Sequence, residues 1–266
     1  PTMRSLLSVT SHEIAHTWFQ FLMATNESKH SWMDEGFTSY IDDVAMNVVL
    51  NEGKALANEN AYKDYFWWVS TGLEEPLTTH ADRYKYNTGY GVSAYDKGSI
   101  FLSQLKYVIG KKHFDNTLKK YFVDWSFKHP KPNDFIRSAE KVSGLELDWY
   151  LLDWAQSTMT IDYSLNSVYG VDNKTKVVLK RIGQMGMPID LRVVLNSGEV
   201  LDYNIPLTKM RGSKPLESST LLDSWSWAKP FYEFWLNVDS SDISRIIIDP
   251  KNEMADINRD NNYLNL

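Results

Sequence analysis

The sequence has no cysteine among its 266 residues, which removes disulfides, thiolate metal ligands and cysteine nucleophiles together. That absence is compatible with any compartment. No stretch approaches the roughly 20 consecutive apolar residues a membrane-spanning helix needs. An excess of positive charge is missing too. The 28 Lys and Arg stand against 34 Asp and Glu, a net charge of -6, so there is no electrostatic reason to expect a nucleic-acid partner. Pro1-Thr2-Met3-Arg4 lacks the basic and apolar regions of a signal peptide. It enters a helical pattern abruptly, so the sequence reads as an excised fragment of a longer protein. What is present is ordinary for a globular chain: 43% hydrophobic and 23% charged residues, with length enough to bury a core.

Periodicity divides the chain into two unlike parts. Up to about residue 160 the pattern is helical. Met3, Leu6, Leu7 and Ile14 begin an apolar face that continues through Trp18, Phe19 and Leu22, which predicts one long first helix. Further helices are expected over 33–50, 55–70, 92–109, 111–126, 132–142 and 147–156. Asn51-Glu52-Gly53 offers a stop, and Asn133 with Asp134 a start. Beyond Asp162 the period becomes two. Strands are expected over 176–182, 190–195, 200–205, 231–238 and 245–248, with Asn196-Ser197-Gly198-Glu199 as a hairpin loop. The expected architecture is α+β: a helical domain over 1–160, then a small antiparallel β-sandwich over 161–266.

The chemistry sits near the start. His12-Glu13-Ile14-Ala15-His16 is an HExxH motif whose histidines, four residues apart, project from one helical face. That places two imidazoles where one tetrahedral zinc can take both. Glu13 is not needed as a ligand, and its expected role is to take a proton from the attacking water and return it to the leaving amine. A third ligand is available in Glu35, which follows His16 after a helix–turn–helix interval within Trp32-Met33-Asp34-Glu35-Gly36-Phe37. His12, His16 and Glu35 around one zinc per chain, with one position open to water, form the ligand arrangement of thermolysin-type peptidases. The plainer alternative is an accidental HExxH with Glu35 as a solvated carboxylate in a first helical turn.

HExxH, an 18-residue interval and Glu within Trp-x-x-Glu-Gly-Phe together resemble the aminopeptidase N family of zinc peptidases, as does the Tyr-x-Lys-Gly of Tyr95-Asp96-Lys97-Gly98. The resemblance implies that the Tyr95 hydroxyl steadies the oxyanion of the tetrahedral intermediate, a role spacing alone does not assign over Tyr86 or Tyr90. It also implies that residues up to about 160 are the helical lobe of a thermolysin-like catalytic domain. Asn87 stands where some relatives carry an acid. The family's Gly-x-Met-Glu-Asn segment, whose glutamate holds the substrate's free amino group, has no counterpart among the 11 residues before His12. The implied partners are a peptide substrate and a missing N-terminal portion of the parent protein. The implied activity is zinc-dependent peptide-bond hydrolysis, at the amino end of peptides, with little or no activity in the isolated chain.

Two other readings stand beside it. One is a non-catalytic relative serving as a protein-binding scaffold, which the intact set of His12, Glu13, His16, Glu35 and Tyr95 weighs against. The other is hydrolysis of a non-peptide substrate, such as an epoxide, on the same zinc site. His30 lies in a polar turn and reads as a surface residue rather than a fourth ligand, and His80, His113 and His129 as structural. Trp67-Trp68 and Trp225-Ser226-Trp227 are expected to pack in the core or between lobes. The Asp249–Asp260 stretch lacks the glycine and final glutamate of a calcium loop.

Overall fold

Thr2 opens the first helix, α1 (Met3–Ala15), by accepting the Ser5 N–H on its side-chain oxygen. The computed structural model describes residues 2–266. Its helical unit ends at Thr158 and its β unit runs from Met159 to Leu266. No helix among the described residues is long and apolar enough to cross a membrane.

After α1 come α2 (Phe37–Val49), α3 (Glu59–Ser70), α4 (Asn87–Gly91), α5 (Gly98–Ile109), α6 (Lys111–Trp125), α7 (Pro132–Ser143) and α8 (Asp148–Ala155). Two π-helical turns interrupt this run. Trp32–Gly36 leads into α2, and Val92–Lys97 joins α4 to α5. The central helix is α5, buried everywhere except Lys106. It tolerates Ser99, Ser103 and Gln104 in the core because Asn58 bonds both serines and the Gln104 amide donates to Tyr62 at 2.7 Å. Gly110, at φ 82°, turns the chain sharply into α6. Around α5 the rings of Trp32 and Phe101, and of Phe37 and Phe135, meet with centroids 4.8 Å apart.

The first helix is shorter than its apolar pattern predicts. It stops at Ala15, and Gln20 takes a left-handed conformation at φ 73° that no continuing helix admits. Met3, Leu6, Val9 and Ile14 are more than half exposed, and Trp18 is exposed as well. Much of the apolar stripe thus faces outward in this unit, while Phe19 is buried and Leu7 and Leu22 are half-buried.

The β unit holds a three-stranded sheet in the order β1-β2-β6 and a five-stranded sheet in the order β5-β4-β3-β7-β8. Their strands are β1 (Tyr163–Val171), β2 (Lys174–Arg181), β3 (Ile189–Leu195), β4 (Val200–Ile205), β5 (Thr220–Leu221), β6 (Phe231–Leu236), β7 (Ile243–Ile248) and β8 (Tyr263–Asn265). Pairing is antiparallel apart from β4 with β5. Tyr203 of one sheet and Phe234 of the other have ring centroids 6.0 Å apart, joining the layers of a sandwich. The β3–β4 hairpin turns at Asn196-Ser197-Gly198-Glu199, with Gly198 at φ 87°. Trp225 is buried and Trp227 exposed, and in the helical unit Trp68 is buried and Trp67 exposed, so one tryptophan of each pair does not pack in a core.

Candidate metal centre

His12 lies in the last turn of α1 and His16 caps that helix, so the four-residue spacing sets both imidazoles on one side. Their ring centroids are 4.8 Å apart. Both Nε2 atoms converge on one carboxylate oxygen of Glu35, at 3.2 Å from His12 and 3.4 Å from His16. A tetrahedral ion with bonds of about 2.0 Å has ligand–ligand edges of about 3.3 Å, so the separations match two edges of a zinc tetrahedron. The donor set, two imidazoles and a carboxylate, is also of the kind zinc takes. All three side chains are largely buried.

A second layer orients the ligands. The Asp34 carboxylate lies 2.7 Å from His16 Nδ1, which directs Nε2 toward Glu35. The Thr38 hydroxyl stands 3.3 Å from the same nitrogen. Burial pushes the Asp34 carboxyl up to about 7, against the pull of the His16 imidazole. The Glu35 hydrogen bond raises the His12 imidazole above its ordinary range, with burial opposing. Burial also pushes Glu35 upward, but hydrogen bonds from His12 and Tyr95 outweigh it and hold the carboxyl below its usual value. Asp42, in α2, accepts a hydrogen bond from Ser8 at 2.7 Å and adds a smaller electrostatic pull on His12. Glu13 is exposed on α1 beside the cluster.

Tyr95 lies in the second π turn with its ring nearly parallel to that of His12, centroids 5.9 Å apart. Its hydroxyl donates to Glu35, and burial with the neighbouring carboxylate keeps the phenol protonated well above its ordinary range. Half-buried Tyr90 meets the Tyr95 ring edge-on at 6.5 Å.

Glu35 and Tyr95 are thus each presented by a π turn, and the two turns cross at glycines. A Cβ on Gly36 would fall 2.5 Å from Gly98 Cα, and one on Gly98 would fall 2.8 Å from Gly36 Cα. The glycines of Glu-Gly-Phe and Lys-Gly are needed for this contact, which sets the carboxylate beside the phenol. Lys97 and Glu74 pin the second turn from behind.

His12, His16, Glu35 and Tyr95 therefore gather at one place, and Glu13 is exposed on the helix that carries His12. Asp34, Thr38 and Asp42 were not singled out, and Tyr90 stood only as an alternative to Tyr95. Asp34 adjoins Glu35 in sequence, and the i+3 and i+7 positions of Thr38 and Asp42 follow one helical face, but only the fold shows what they touch. Asn87 is exposed at the start of α4. His30 is half-buried, not the surface residue its polar turn implies, and is not among the three ligand atoms that cluster.

The Peptidase family M1 domain profile matches residues 2–166. Human aminopeptidase B is 30% identical over 149 residues, covering 50% of this chain and 22% of that protein. A leukotriene A-4 hydrolase homolog of Botryotinia fuckeliana (strain B05.10) is 25% identical over 145 residues, covering 50% of this chain and 21% of that protein. Among solved structures, Legionella pneumophila aminopeptidase A in complex with aspartic acid superposes with a TM-score of 0.56 at 17% identity, covering 94% of this chain and 26% of that one. At that identity the likeness speaks for the fold alone. This chain spans about a fifth of the length of the curated relatives it matches.

Proposed function

The chain belongs to peptidase family M1, and from that premise we propose that it carries the metal site and proton-transfer groups of a zinc-dependent peptidase acting at the amino end of peptides. The observation that carries this reading is the approach of His12 Nε2 and His16 Nε2 to one Glu35 oxygen at tetrahedral-edge distances. His12, His16 and Glu35 would hold zinc, which supplies Lewis acidity toward the scissile carbonyl and lowers the pKa of bound water. Glu13, one residue from His12 and not among the ligand atoms, takes the proton of the attacking water and passes it to the leaving amine. Tyr95 stays a neutral donor at the pH of catalysis and turns its hydroxyl from Glu35 to the oxygen on which charge develops. Asp34 and Thr38 keep the His16 ring oriented.

The exposed Met3, Leu6, Val9 and Ile14 support a further element of the proposal, that α1 packs against an upstream portion of a longer polypeptide. That portion would supply the group that holds the substrate's amino terminus, so the isolated chain turns over aminoacyl reporters weakly or not at all. Equal turnover by the chain and by the longer polypeptide would overturn this part. The central test is Glu13→Gln in the longer polypeptide. Turnover is expected to fall by about 10²–10⁴ with zinc content unchanged, whereas parallel loss of zinc would assign Glu13 a structural role. Similarity to a leukotriene A-4 hydrolase homolog favours one second reading, hydrolysis of an epoxide on the same site. Assaying both substrate classes on one preparation separates the two.

A further inference from the structure

Outside the metal centre, the turn over residues 24–30 and the segment over residues 129–131 enclose a cavity of about 500 Å³. Lys29, His30, His129 and Lys131 line it, with Ser28 among the hydroxyl groups. We propose that this cavity binds a small oxyanion, a phosphate group or the terminal carboxylate of a peptide, on those four cationic or protonatable side chains.

Three observations converge. The first is uncompensated charge. Neither Lys29 nor Lys131 has a carboxylate within ion-pair distance among the described residues. Asp134, the acid nearest Lys131 in the chain, accepts the Lys131 backbone N–H at 2.7 Å as part of the α7 cap. Glu27 is the single acid lining the cavity, and its charge also bears on Asp34 and Tyr90 at the metal centre. Two ammonium groups against one carboxylate is a local excess of positive charge in a chain of net charge -6. An oxyanion satisfies that excess with charge-assisted hydrogen bonds.

The second is the set of the histidines. His129 Nδ1 lies 2.9 Å from the Ala24 carbonyl oxygen, and because a carbonyl only accepts, Nδ1 carries the hydrogen. That bond fixes the ring and commits Nδ1, so Nε2 is the nitrogen left to meet a ligand. His30 Nδ1 is buried and meets no protein partner. A buried nitrogen without a protein partner, in a residue lining a cavity, calls for a ligand or water. In support, burial, Lys29 and Lys131 together lower the His30 imidazole below its ordinary range, so both lysines act on the same point. The third is size. The volume takes an oxyanion and the first atoms attached to it, with Ser28 able to donate at the rim.

This inference does not rest on the peptidase reading, because none of the four residues is in the metal-ligand set. Its test is an NMR titration of the histidine ring signals of the full 266-residue chain, stripped of metal, with sodium phosphate against sodium chloride at matched ionic strength. Signals are assigned with His30→Asn and His129→Asn. The His30 and His129 signals should shift and saturate, and the double variant Lys29→Ala/Lys131→Ala should bind about tenfold more weakly or not at all. Both lysines are exposed, and an unchanged circular dichroism spectrum confirms that the variant folds. A second arm compares trialanine with its C-terminal amide. Saturation by the acid but not the amide identifies a peptide carboxylate as ligand, and saturation by phosphate alone identifies a phosphate group. Shifts that fail to saturate with either anion, equal shifts with the amide, or equal affinity in the double variant overturn the proposal.

Discussion

The Lys97 ammonium lies 2.6 Å from the Glu74 carboxylate, and both side chains are hidden from water, at 1% and 6% exposure. Lys97 also approaches the Ser157 carbonyl at 3.4 Å and the Tyr65 ring at 5.8 Å. An ion pair this deep adds little net stability when intact, but losing one partner strands a charge. Glu74→Gln is therefore expected to destabilise the helical unit by about 3–5 kcal/mol in urea unfolding. The double change Lys97→Met/Glu74→Leu should recover most of that loss. A double variant no more stable than the single one would show that the pair fixes the π turn by its geometry and not only by its charge.

Adding one carbon where the turns cross forces them apart. Gly98→Ala gains about 1 kcal/mol of helix propensity, but its Cβ meets Gly36 Cα and the Trp32 carbonyl oxygen. Overpacking of this kind costs about 1–3 kcal/mol, so the net effect is a loss, measurable as a lower unfolding midpoint. Because Glu35 and Tyr95 ride on the turns, the variant should also bind zinc more weakly. Gly144→Ala serves as a control in which strain arises from a left-handed φ of 73° with no atom nearby, and zinc affinity should be unchanged.

Asp34 holds His16 from behind, and its loss should be felt as metal affinity. Asp34→Ala is expected to weaken zinc binding about 10–100-fold, read by competition with a chromophoric chelator. His16→Ala should abolish stoichiometric zinc altogether. Unchanged affinity in Asp34→Ala would leave the Thr38 hydroxyl and the Phe19 carbonyl as the groups that orient the ring.

Acidity should act in opposite directions on the metal-free and zinc-loaded forms. In the metal-free chain the His12 pKa is raised, so its contribution to stability is complete below the unfolded imidazole value and fades as pH rises through the folded one. The Glu35 pKa is lowered, so its contribution is complete above the unfolded carboxyl value and fades as pH falls through the folded one. The pair therefore stabilises most in the interval between them. Zinc needs neutral His12, so its affinity falls by about tenfold per pH unit once His12 is protonated. Thermal melts from about pH 6 to about pH 8 should show the pair's contribution to the metal-free chain shrinking and the stabilisation by zinc growing. Calorimetry in two buffers should register proton release on binding.

Much of the site was legible because helical geometry is local. The interval between His12 and His16 fixes their relative direction without knowledge of anything else, and the Trp-x-x-Glu-Gly-Phe segment marks the returning carboxylate. The π turns were not legible, since one extra residue per turn leaves no mark in a 3.6-residue pattern. Nor was the end of α1, where Trp18 and Phe19 keep the apolar period while the backbone at Gln20 departs from it. In the β unit, β1 escaped notice because a bulge between Leu165 and Ser167 breaks its alternation. Asp172 and Asn173, both at positive φ, were the turn signal that could have revealed the β1–β2 hairpin. The two-residue β5 and three-residue β8 are too short to show a period.

The helix carrying His12 and His16 is lightly moored. Ala15 alone among its residues is buried, and polar links from Arg4 to Glu52 and from Ser8 to Asp42 help tie it down. A cation shared by His12, His16 and Glu35 would be a rivet through α1 and the turn that opens α2. Its residence time would then be tied to the fraying of the carboxyl end of α1, since binding at His12, His16 and Glu35 would hold that helix end in place.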